Sequence, residues 1–196
     1  MTCPRPLRVE TLRDRQDTLA QLRGDDPGRA LTIVGVDGRS GSGKSNLAAA
    51  MAELATDVAV VHTDDIAWHH SFFDWTPLLI EHVLAPLRRE GAPLSYRPDA
   101  WIVRHREGAI AVPADASVVI VEGVGACNRD VLAWLDTSVW IDTDPNVGRQ
   151  RVVARGVDTE EFIAEWTEQE EAFLAEHRPW AHVDFVVSGE TAPIAR

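Results

Sequence analysis

Glycine, serine and lysine residues in the first quarter of the chain have the types and spacing of a phosphate-binding loop. Residues 38–45 read GRSGSGKS, which matches the pattern G-x-x-x-x-G-K-[ST], and an apolar run over 31–36 precedes them. Glycines permit backbone angles that a Cβ would forbid, so successive N–H groups can converge on an anion at the start of a helix. We therefore predict a site for ATP and Mg²⁺, in which Lys44 reaches the β- and γ-phosphates and the Ser45 hydroxyl holds the metal ion. The predicted nucleotide-binding residues of this loop are Gly38, Ser40, Gly41, Ser42, Gly43, Lys44, Ser45 and Asn46.

Acidic residues at the ends of two other apolar runs could act together with this loop. Asp64 and Asp65 follow the run at 58–61, and Glu122 follows the run at 117–121. A carboxylate beside the phosphate loop can accept the proton of an acceptor hydroxyl, although aspartate also commonly caps a helix. We favour the catalytic role for Asp64. The candidate metal residues are Ser45, Glu122 and Asp64.

Two arginines on a later predicted helix are candidates for stabilising phosphate charge. Arg151 and Arg155 are four residues apart and therefore share a helix face. Guanidinium groups placed together repel unless an anion lies between them, and a transferring phosphoryl group is such an anion. The alternative is a solvated basic face paired with the acidic helix predicted at 160–176.

Aromatic and acidic residues outside the predicted strands could contact a second substrate. A flat acceptor could stack on Trp68 or Trp101, although packing is the commoner role of a tryptophan. Asp64 and Asp65 are also candidates for binding the acceptor, and Asp74 could bind acceptor hydroxyls or could stabilise a turn of its loop.

The elements that must position these residues alternate between strands and helices. Strands are predicted at 31–36, 58–61, 117–121, 138–141 and 184–187, and helices at 6–23, 44–55, 77–90, 145–156 and 158–176. Continuous apolar strands are typical of a parallel sheet covered on both faces. The sequence therefore predicts a three-layer α/β/α sandwich with a parallel sheet, the fold of the P-loop NTPases, in which ligands bind beyond the carboxyl ends of the strands.

Composition limits the partners that we expect. The net charge of −12, from 19 basic and 31 acidic residues, argues against a nucleic acid polymer. No apolar run approaches the roughly 20 residues that span a bilayer, and the first residues lack the apolar core of a signal peptide. The two cysteines, Cys3 and Cys127, form no metal or disulfide pattern. These features predict a cytoplasmic protein with free thiols and no membrane partner.

The order of these motifs over roughly 31–187 resembles the uridine kinase-like branch of the P-loop nucleoside kinases, which also includes the nicotinamide riboside kinases. The matching segments are the phosphate loop at 37–45, Thr63-Asp64-Asp65 with its acceptor-activating Asp64, the strand end Val121-Glu122-Gly123, the strand at 140–144 followed by Arg151 and Arg155, and the final strand at 182–187. The resemblance implies a single P-loop kinase domain over 1–196. In that domain 1–28 is an N-terminal helical extension, and about 145–160 is a mobile lid that closes over ATP.

The resemblance also implies an acceptor-binding hairpin, which would fall at 96–106. Its nearest candidates for contact with the acceptor are Trp101, Arg104 and Arg106. The sequence departs from the family here, because it reads SYRPDAW rather than the usual Tyr-Asp-Phe pattern. It departs again in the lid, where Gly148 and Val152 stand at positions that are commonly basic.

The leading hypothesis is an ATP-dependent kinase that transfers the γ-phosphoryl group to a hydroxyl of a small, nucleoside-like acceptor, with Asp64, Lys44, Arg151 and Arg155 as catalytic residues. A sugar, an antibiotic or a nicotinamide riboside-like acceptor stays open. One alternative is a nucleoside monophosphate or dephospho-CoA-type kinase, for which Arg97, Arg104 and Arg106 could hold the acceptor phosphate. Another is an ATP-binding regulatory protein without an acceptor. The N-terminal helix could pack on the domain or form a homodimer contact.

Overall fold

The computed structural model describes residues 4–24 and 29–190. Within them the strands are β1 (Arg5–Leu7), β2 (Thr32–Gly38), β3 (Val58–His62), β4 (Leu94–Tyr96), β5 (Ile110–Val112), β6 (Val118–Glu122), β7 (Thr137–Asp142) and β8 (Phe185–Ser188). The helices are α1 (Leu12–Arg23), α2 (Lys44–Ala52), α3 (Thr63–Ala67), α4 (Thr76–Leu79), α5 (Ala85–Glu90), α6 (Asp99–Val103), α7 (Arg129–Leu132), α8 (Pro145–Arg155) and α9 (Glu160–His177). A π-helical turn (Ile80–Leu84) joins α4 to α5, and a 3-10 turn (Pro179–Ala181) follows α9.

A six-stranded parallel sheet in the order β1-β8-β7-β2-β6-β3 forms the middle layer. The strand that leads into the glycine-rich loop, β2, lies between β6 and β7. Its Val36 is in register with Glu122 of β6, and its Gly38 with Ile141 of β7. The loop after β2 therefore emerges next to the carboxyl end of β6, which carries Glu122. The strands β4 and β5 form a separate antiparallel ribbon.

Helices cover both faces of this sheet because neighbouring residues of a strand point to opposite sides. On one face Ile33 and Val61 belong to a hydrophobic cluster with the helical residues of 79–87. On the other face Val34 and Val139 belong to a cluster with the apolar residues of α1 and α2. The predicted three-layer α/β fold is confirmed.

The N-terminal segment differs from the helix predicted at 6–23. Residues Arg5–Leu7 form an edge strand that pairs with β8, and the helix begins only at Leu12. Its start is fixed by a capping box, in which the Thr11 hydroxyl accepts from the Asp14 N–H and the Asp14 carboxylate accepts from the Thr11 N–H. The segment predicted as a helical extension thus contributes a strand to the sheet. Leu19 and Leu22 of α1 pack in the core, the first of the two roles considered for this helix.

The helix predicted at 77–90 also differs in detail, since it runs from 76 to 90 with a change of hydrogen-bonding pattern inside it. The π-helical turn (Ile80–Leu84) precedes α5, and Pro86 lies in the first turn of α5, where a missing N–H is tolerated. The change of helix type therefore lies immediately ahead of the proline.

Two expectations from composition concern the membrane and the thiols. Among residues 4–24 and 29–190, no helix is both long enough and apolar enough to cross a bilayer. Cys127 is a buried free thiol, and Cys3 lies outside the described residues.

Candidate functional site

A cavity of about 770 Å³ opens beyond the carboxyl ends of β2, β3 and β6. Its walls are the phosphate loop, the start of α3, the segment 67–75, and one side of each of α8 and α9. This is the place where open parallel sheets bind ligands, and the volume is within the range of small-molecule sites. The loop residues that face the cavity are Ser40, Gly41, Gly43, Lys44, Ser45 and Asn46, whereas Gly38 and Ser42 lie outside its lining.

Lys44 is already held in place by the backbone of its own loop. Its Nζ donates to the carbonyl oxygens of Gly38 and Arg39, both at 2.9 Å. An ammonium group has three donors, so one remains for a ligand in the cavity. Gly43, with φ of 104°, turns the chain into α2 in a conformation that side chains disfavour. The loop thus has a form that suits phosphate binding, with its lysine oriented and a helix N-terminus behind it.

Asp37, a buried aspartate near the end of β2, holds the loop in place, and the sequence motif did not identify this role. Asp37 accepts hydrogen bonds from the backbone N–H groups of Gly38 (2.7 Å), Gly125 (3.0 Å) and Cys127 (2.9 Å). Complete burial raises the pKa of Asp37 to about 6, although these three N–H groups and the Lys44 ammonium favour its charged form. This carboxyl group ties the end of β2 to the segment that follows Glu122.

Glu122 lies beside Ser45 as predicted from the motifs. The Ser45 hydroxyl donates to Glu122 Oε1 at 3.0 Å, and His62 Nδ1 lies 2.5 Å from the same oxygen. The hydrogen bond with the nearly buried Glu122 carboxylate raises the pKa of His62. No group of three or more acidic, histidine or cysteine side chains within the described residues could hold a metal ion alone. A hydroxyl and one carboxylate suit Mg²⁺, which keeps several waters and binds through substrate phosphates.

Asp64 lies in the same cavity, at the start of α3 and directly after β3. Desolvation by the surrounding protein is the largest cause that raises its pKa. The Lys44 ammonium lowers the pKa and the Glu122 carboxylate raises it further. A carboxyl group with a raised pKa is better suited to take up a proton than a solvated one.

Several residues predicted to contact an acceptor instead contact one another, outside the cavity lining. Arg106 lies 3.6 Å above the ring of Trp101 and donates to Asp65 at 2.5 Å. The Trp101 indole, almost fully buried, donates to the Asp65 carbonyl at 2.9 Å. Arg106 also approaches Trp68, 5.0 Å from its ring centre, and Trp68 is the member of this group that lines the cavity.

The remaining acceptor candidates also lie outside the cavity lining. Asp74 accepts a hydrogen bond from the Ser71 hydroxyl at 2.7 Å, which fits the turn-stabilising reading. Arg104 does not line the cavity either. Of the residues predicted to bind an acceptor, the structure therefore brings Asp64 and Trp68 to the cavity.

The arginines of α8 have two kinds of environment: some line the cavity, and one binds backbone carbonyls. Arg155 lines the cavity together with Arg149, which lies about one and two-thirds turns closer to the start of the helix. Arg151 instead donates to the backbone carbonyls of Gly41 at 3.3 Å and Gly189 at 3.2 Å. The predicted pair of 151 and 155 is thus replaced in the cavity by the pair of 149 and 155.

Close packing between α8 and the loop explains why a glycine stands where the family is commonly basic. A Cβ added to Gly148 would lie 2.7 Å from the Ser40 carbonyl oxygen, and one added to Gly41 would lie 2.2 Å from the Gly148 carbonyl oxygen. Neither position admits a side chain unless the backbone moves.

The helix α9 supplies residues that the sequence reasoning missed. Trp166 Nε1 donates to the Ser40 hydroxyl at 2.7 Å, and Glu170 accepts from the Ser40 N–H at 2.7 Å. Glu171 forms an ion pair with Arg39. The only signal in the sequence was the four-residue spacing of Phe162, Trp166 and Glu170, which places them on one helix face.

No known protein-family model matches the chain, and no curated protein matches it. Solved structures do. One, described as a possible uridine kinase from Bacillus stearothermophilus, is 22% identical with a TM-score of 0.61 and covers 90% of this chain and 98% of its own. Another, described as a fructose transport system kinase from Silicibacter sp. TM1040, is 18% identical with a TM-score of 0.50 and covers 87% of this chain and 95% of its own. These likenesses show that the chain has the fold of the uridine kinase-like P-loop kinases.

Proposed function

We propose that this protein is a kinase that transfers the γ-phosphoryl group of ATP to a hydroxyl of a small molecule, with Mg²⁺ as cofactor. The observation that carries the proposal is the meeting of three groups in one cavity. These are the loop with Lys44 and Ser45, the Glu122 carboxylate that accepts from Ser45, and Asp64 at the neighbouring strand end. The two kinases of similar fold support a small-molecule phosphotransferase.

Each group has a role that follows from its geometry. The loop N–H groups and the third donor of Lys44 hold the β- and γ-phosphates. Ser45 and Glu122 would hold Mg²⁺, which supplies neutralisation of phosphate charge when bound. Asp64 accepts the hydroxyl proton and orients the attacking oxygen. Arg149 and Arg155 supply positive charge from α8, while Arg151 holds α8 against the loop.

The alternative of a nucleoside monophosphate or dephospho-CoA-type kinase requires a basic pocket for the acceptor phosphate. The cluster considered for that role does not line the cavity. Arg106 is paired with Asp65, and Arg97 donates to the Arg106 carbonyl at 2.7 Å. No observation favours this alternative. An ATP-binding regulatory protein would differ from a kinase in a measurable way, because small molecules would not change its rate of ATP hydrolysis.

The test is ADP release from MgATP across a panel of nucleosides, their monophosphates, sugars, amino sugars and antibiotics. We expect at least one member to raise the rate well above the background without acceptor. Asp64→Asn should lower the acceptor-stimulated rate about 100-fold or more while MgADP binding stays intact. Lys44→Ala should weaken nucleotide binding itself. Asp115→Asn, an exposed aspartate in a turn before β6, is the matched control. Normal turnover in Asp64→Asn would remove Asp64 from this role.

A further inference from the structure

One face of α9 forms the cavity wall opposite the segment 68–75. Phe162, Trp166 and Glu170 follow one another at four-residue spacing, and all three line the cavity. Phe72, from the opposite wall, makes edge-to-face contacts with Phe162 and Trp166 at ring distances of 5.9 and 5.2 Å. The two walls therefore meet through aromatic rings, and the space beside them adjoins the phosphate loop.

The indole donors of Trp166 on α9 and of Trp75 on the opposite segment are already used within the protein. Trp166 donates to the Ser40 hydroxyl, and Trp75 donates to the Phe72 carbonyl at 2.8 Å. Trp75 is almost fully buried, whereas the partly exposed Trp166 offers a ring surface to a ligand and no further donor. A flat or apolar part of a ligand matches such a surface.

Glu170 is one of three polar residues that α9 contributes to the cavity lining, beside Thr167 and Glu171, and it keeps unused acceptor capacity. The residue is 5% exposed, and its Oε1 accepts one hydrogen bond, from the Ser40 N–H. Its neighbour Glu171 is the one that pairs with Arg39, and within residues 4–24 and 29–190 no cation forms an ion pair with Glu170. A carboxylate can accept about four hydrogen bonds, and a buried one is costly unless donors surround it.

Charges of both signs line the cavity. Its lysine and arginine side chains belong to the phosphate loop and α8, namely Arg39, Lys44, Arg149 and Arg155, where ATP phosphates need them. Five carboxylates also line the cavity, those of Asp64, Glu122, Asp158, Glu170 and Glu171. Glu122 accepts from Ser45 and Glu171 pairs with Arg39, whereas Asp64 and Glu170 stand on the walls next to the loop without an ion pair among the described residues. An acceptor with a phosphate or carboxylate would meet these two charges, whereas hydroxyl and ammonium groups would satisfy them.

We propose that the acceptor carries no anionic group, lies against the α9 face of Phe162, Trp166 and Glu170, and donates a hydrogen bond to Glu170. This inference rests on the proposed kinase function and narrows its substrate class to neutral or cationic hydroxyl compounds with a flat or apolar part. Glu170 is thereby a specificity-determining residue for the acceptor.

The first test compares acceptors that differ only in charge. ADP release is measured with cytidine, adenosine and glucosamine, each beside its phosphate monoester, and MgADP binding is measured separately. We expect activity with unphosphorylated members alone. A phosphate monoester that is the better substrate would overturn this inference and leave the kinase function standing. Failure of every member of this set and of the wider panel, with MgADP bound normally, would refute the kinase function and this inference together.

The second test separates the acceptor role of Glu170 from its contact with the loop. Glu170→Gln keeps a carbonyl oxygen for the Ser40 N–H but replaces the other oxygen by an amide that cannot accept. We expect the KM for the acceptor to rise about 10- to 100-fold, with the KM for ATP little changed. Glu176→Gln, which removes the same charge from an exposed site on the same helix, should behave like the unmodified protein. A rise in the KM for ATP alone would overturn the proposal.

Removing the aromatic ring of Phe162 tests the α9 contact independently of Glu170. The change carries little risk to folding, because Phe162 is 42% exposed. Phe162→Ala should raise the acceptor KM about 2- to 10-fold. Val157→Ala, at an 82% exposed site outside the cavity lining, is its control. An unchanged acceptor KM in Phe162→Ala would place the acceptor away from α9.

Discussion

The contact between α8 and the phosphate loop makes Gly148→Ala a sharp test of how the nucleotide site is built. The added Cβ would lie 2.7 Å from the Ser40 carbonyl oxygen, about 0.7 Å short of the 3.4 Å at which ordinary contact begins. Because the obstacle is backbone rather than a flexible side chain, either the loop or the helix must move by that amount.

Two effects on stability oppose each other in this variant. Alanine is favoured over glycine inside a helix by about 1 kcal/mol, whereas the forced contact disfavours the packed arrangement. We expect them to cancel largely, so that the melting temperature changes by no more than about 4 °C. The geometry of the site does not recover, since α8 moves away from the loop and the Arg151 bond to the Gly41 carbonyl, already 3.3 Å long, is lost. A misplacement near 1 Å can cost about 100-fold in rate, so a loss of about 10- to 100-fold in kcat/KM is expected.

The assay pairs kcat/KM for ATP with MgADP binding and a thermal melt. Val153→Ala is the matched control, because it raises helix propensity at a half-exposed site on the same helix that does not line the cavity. It should keep full activity. If Gly148→Ala instead keeps wild-type kcat/KM with a raised melting temperature, α8 does not lie on the loop during turnover, and the reasoning fails.

Two further predictions concern stability. The folded state holds the Asp37 proton more tightly than the unfolded state, since the pKa rises from 3.8 to about 6, so its contribution to stability is present at low pH and is lost as pH rises through 6. The difference in unfolding free energy between the wild type and Asp37→Asn should therefore fall by about 1 kcal/mol from pH 5 to pH 7 in urea titrations, and a difference that grows over this range would contradict the assignment. Arg23 binds Asp57 with two hydrogen bonds of 2.7 Å and lowers the pKa of that carboxyl group, in a pair about one-third exposed. Arg23→Gln should cost about 1 kcal/mol at pH 7, and less as pH falls through the pKa of Asp57, whereas an equal cost at low pH would exclude the ion pair as the cause.

Local patterns allowed the sheet and the loop to be predicted. The spacing of glycine, lysine and serine after an apolar strand predicts a phosphate loop, because all the residues that form such a loop lie within a few positions of one another. The long apolar strands similarly predicted a sheet covered on both faces. The predicted start of α1 was wrong because the helix was begun at Pro6, inside the strand Arg5–Leu7, whereas the capping box at Thr11 and Asp14 marks the true start.

The residues that surround the loop could not be predicted in the same way. Asp37 owes its role to Gly125 and Cys127, nearly ninety positions later, and only their backbone N–H groups take part. Glu170 likewise accepts from the backbone N–H of Ser40, so no pattern of side chains in the sequence predicts the contact. In the segment 96–106, family order placed Trp101 and Arg106 near an acceptor, whereas the structure packs them against Asp65 behind Trp68.

Ser40 contacts both the nucleotide side and the acceptor side of the proposed site. It is part of the loop that would hold phosphate, and its carbonyl lies under Gly148 of α8. Its N–H donates to Glu170 of α9, and its hydroxyl accepts from Trp166 of the same helix. A nucleotide that shifts this residue must shift the wall on which the acceptor is proposed to lie, because the hydrogen bonds to Glu170 and Trp166 join them. By thermodynamic reciprocity, the factor by which the nucleotide changes the affinity for the acceptor equals the factor by which the acceptor changes the affinity for the nucleotide.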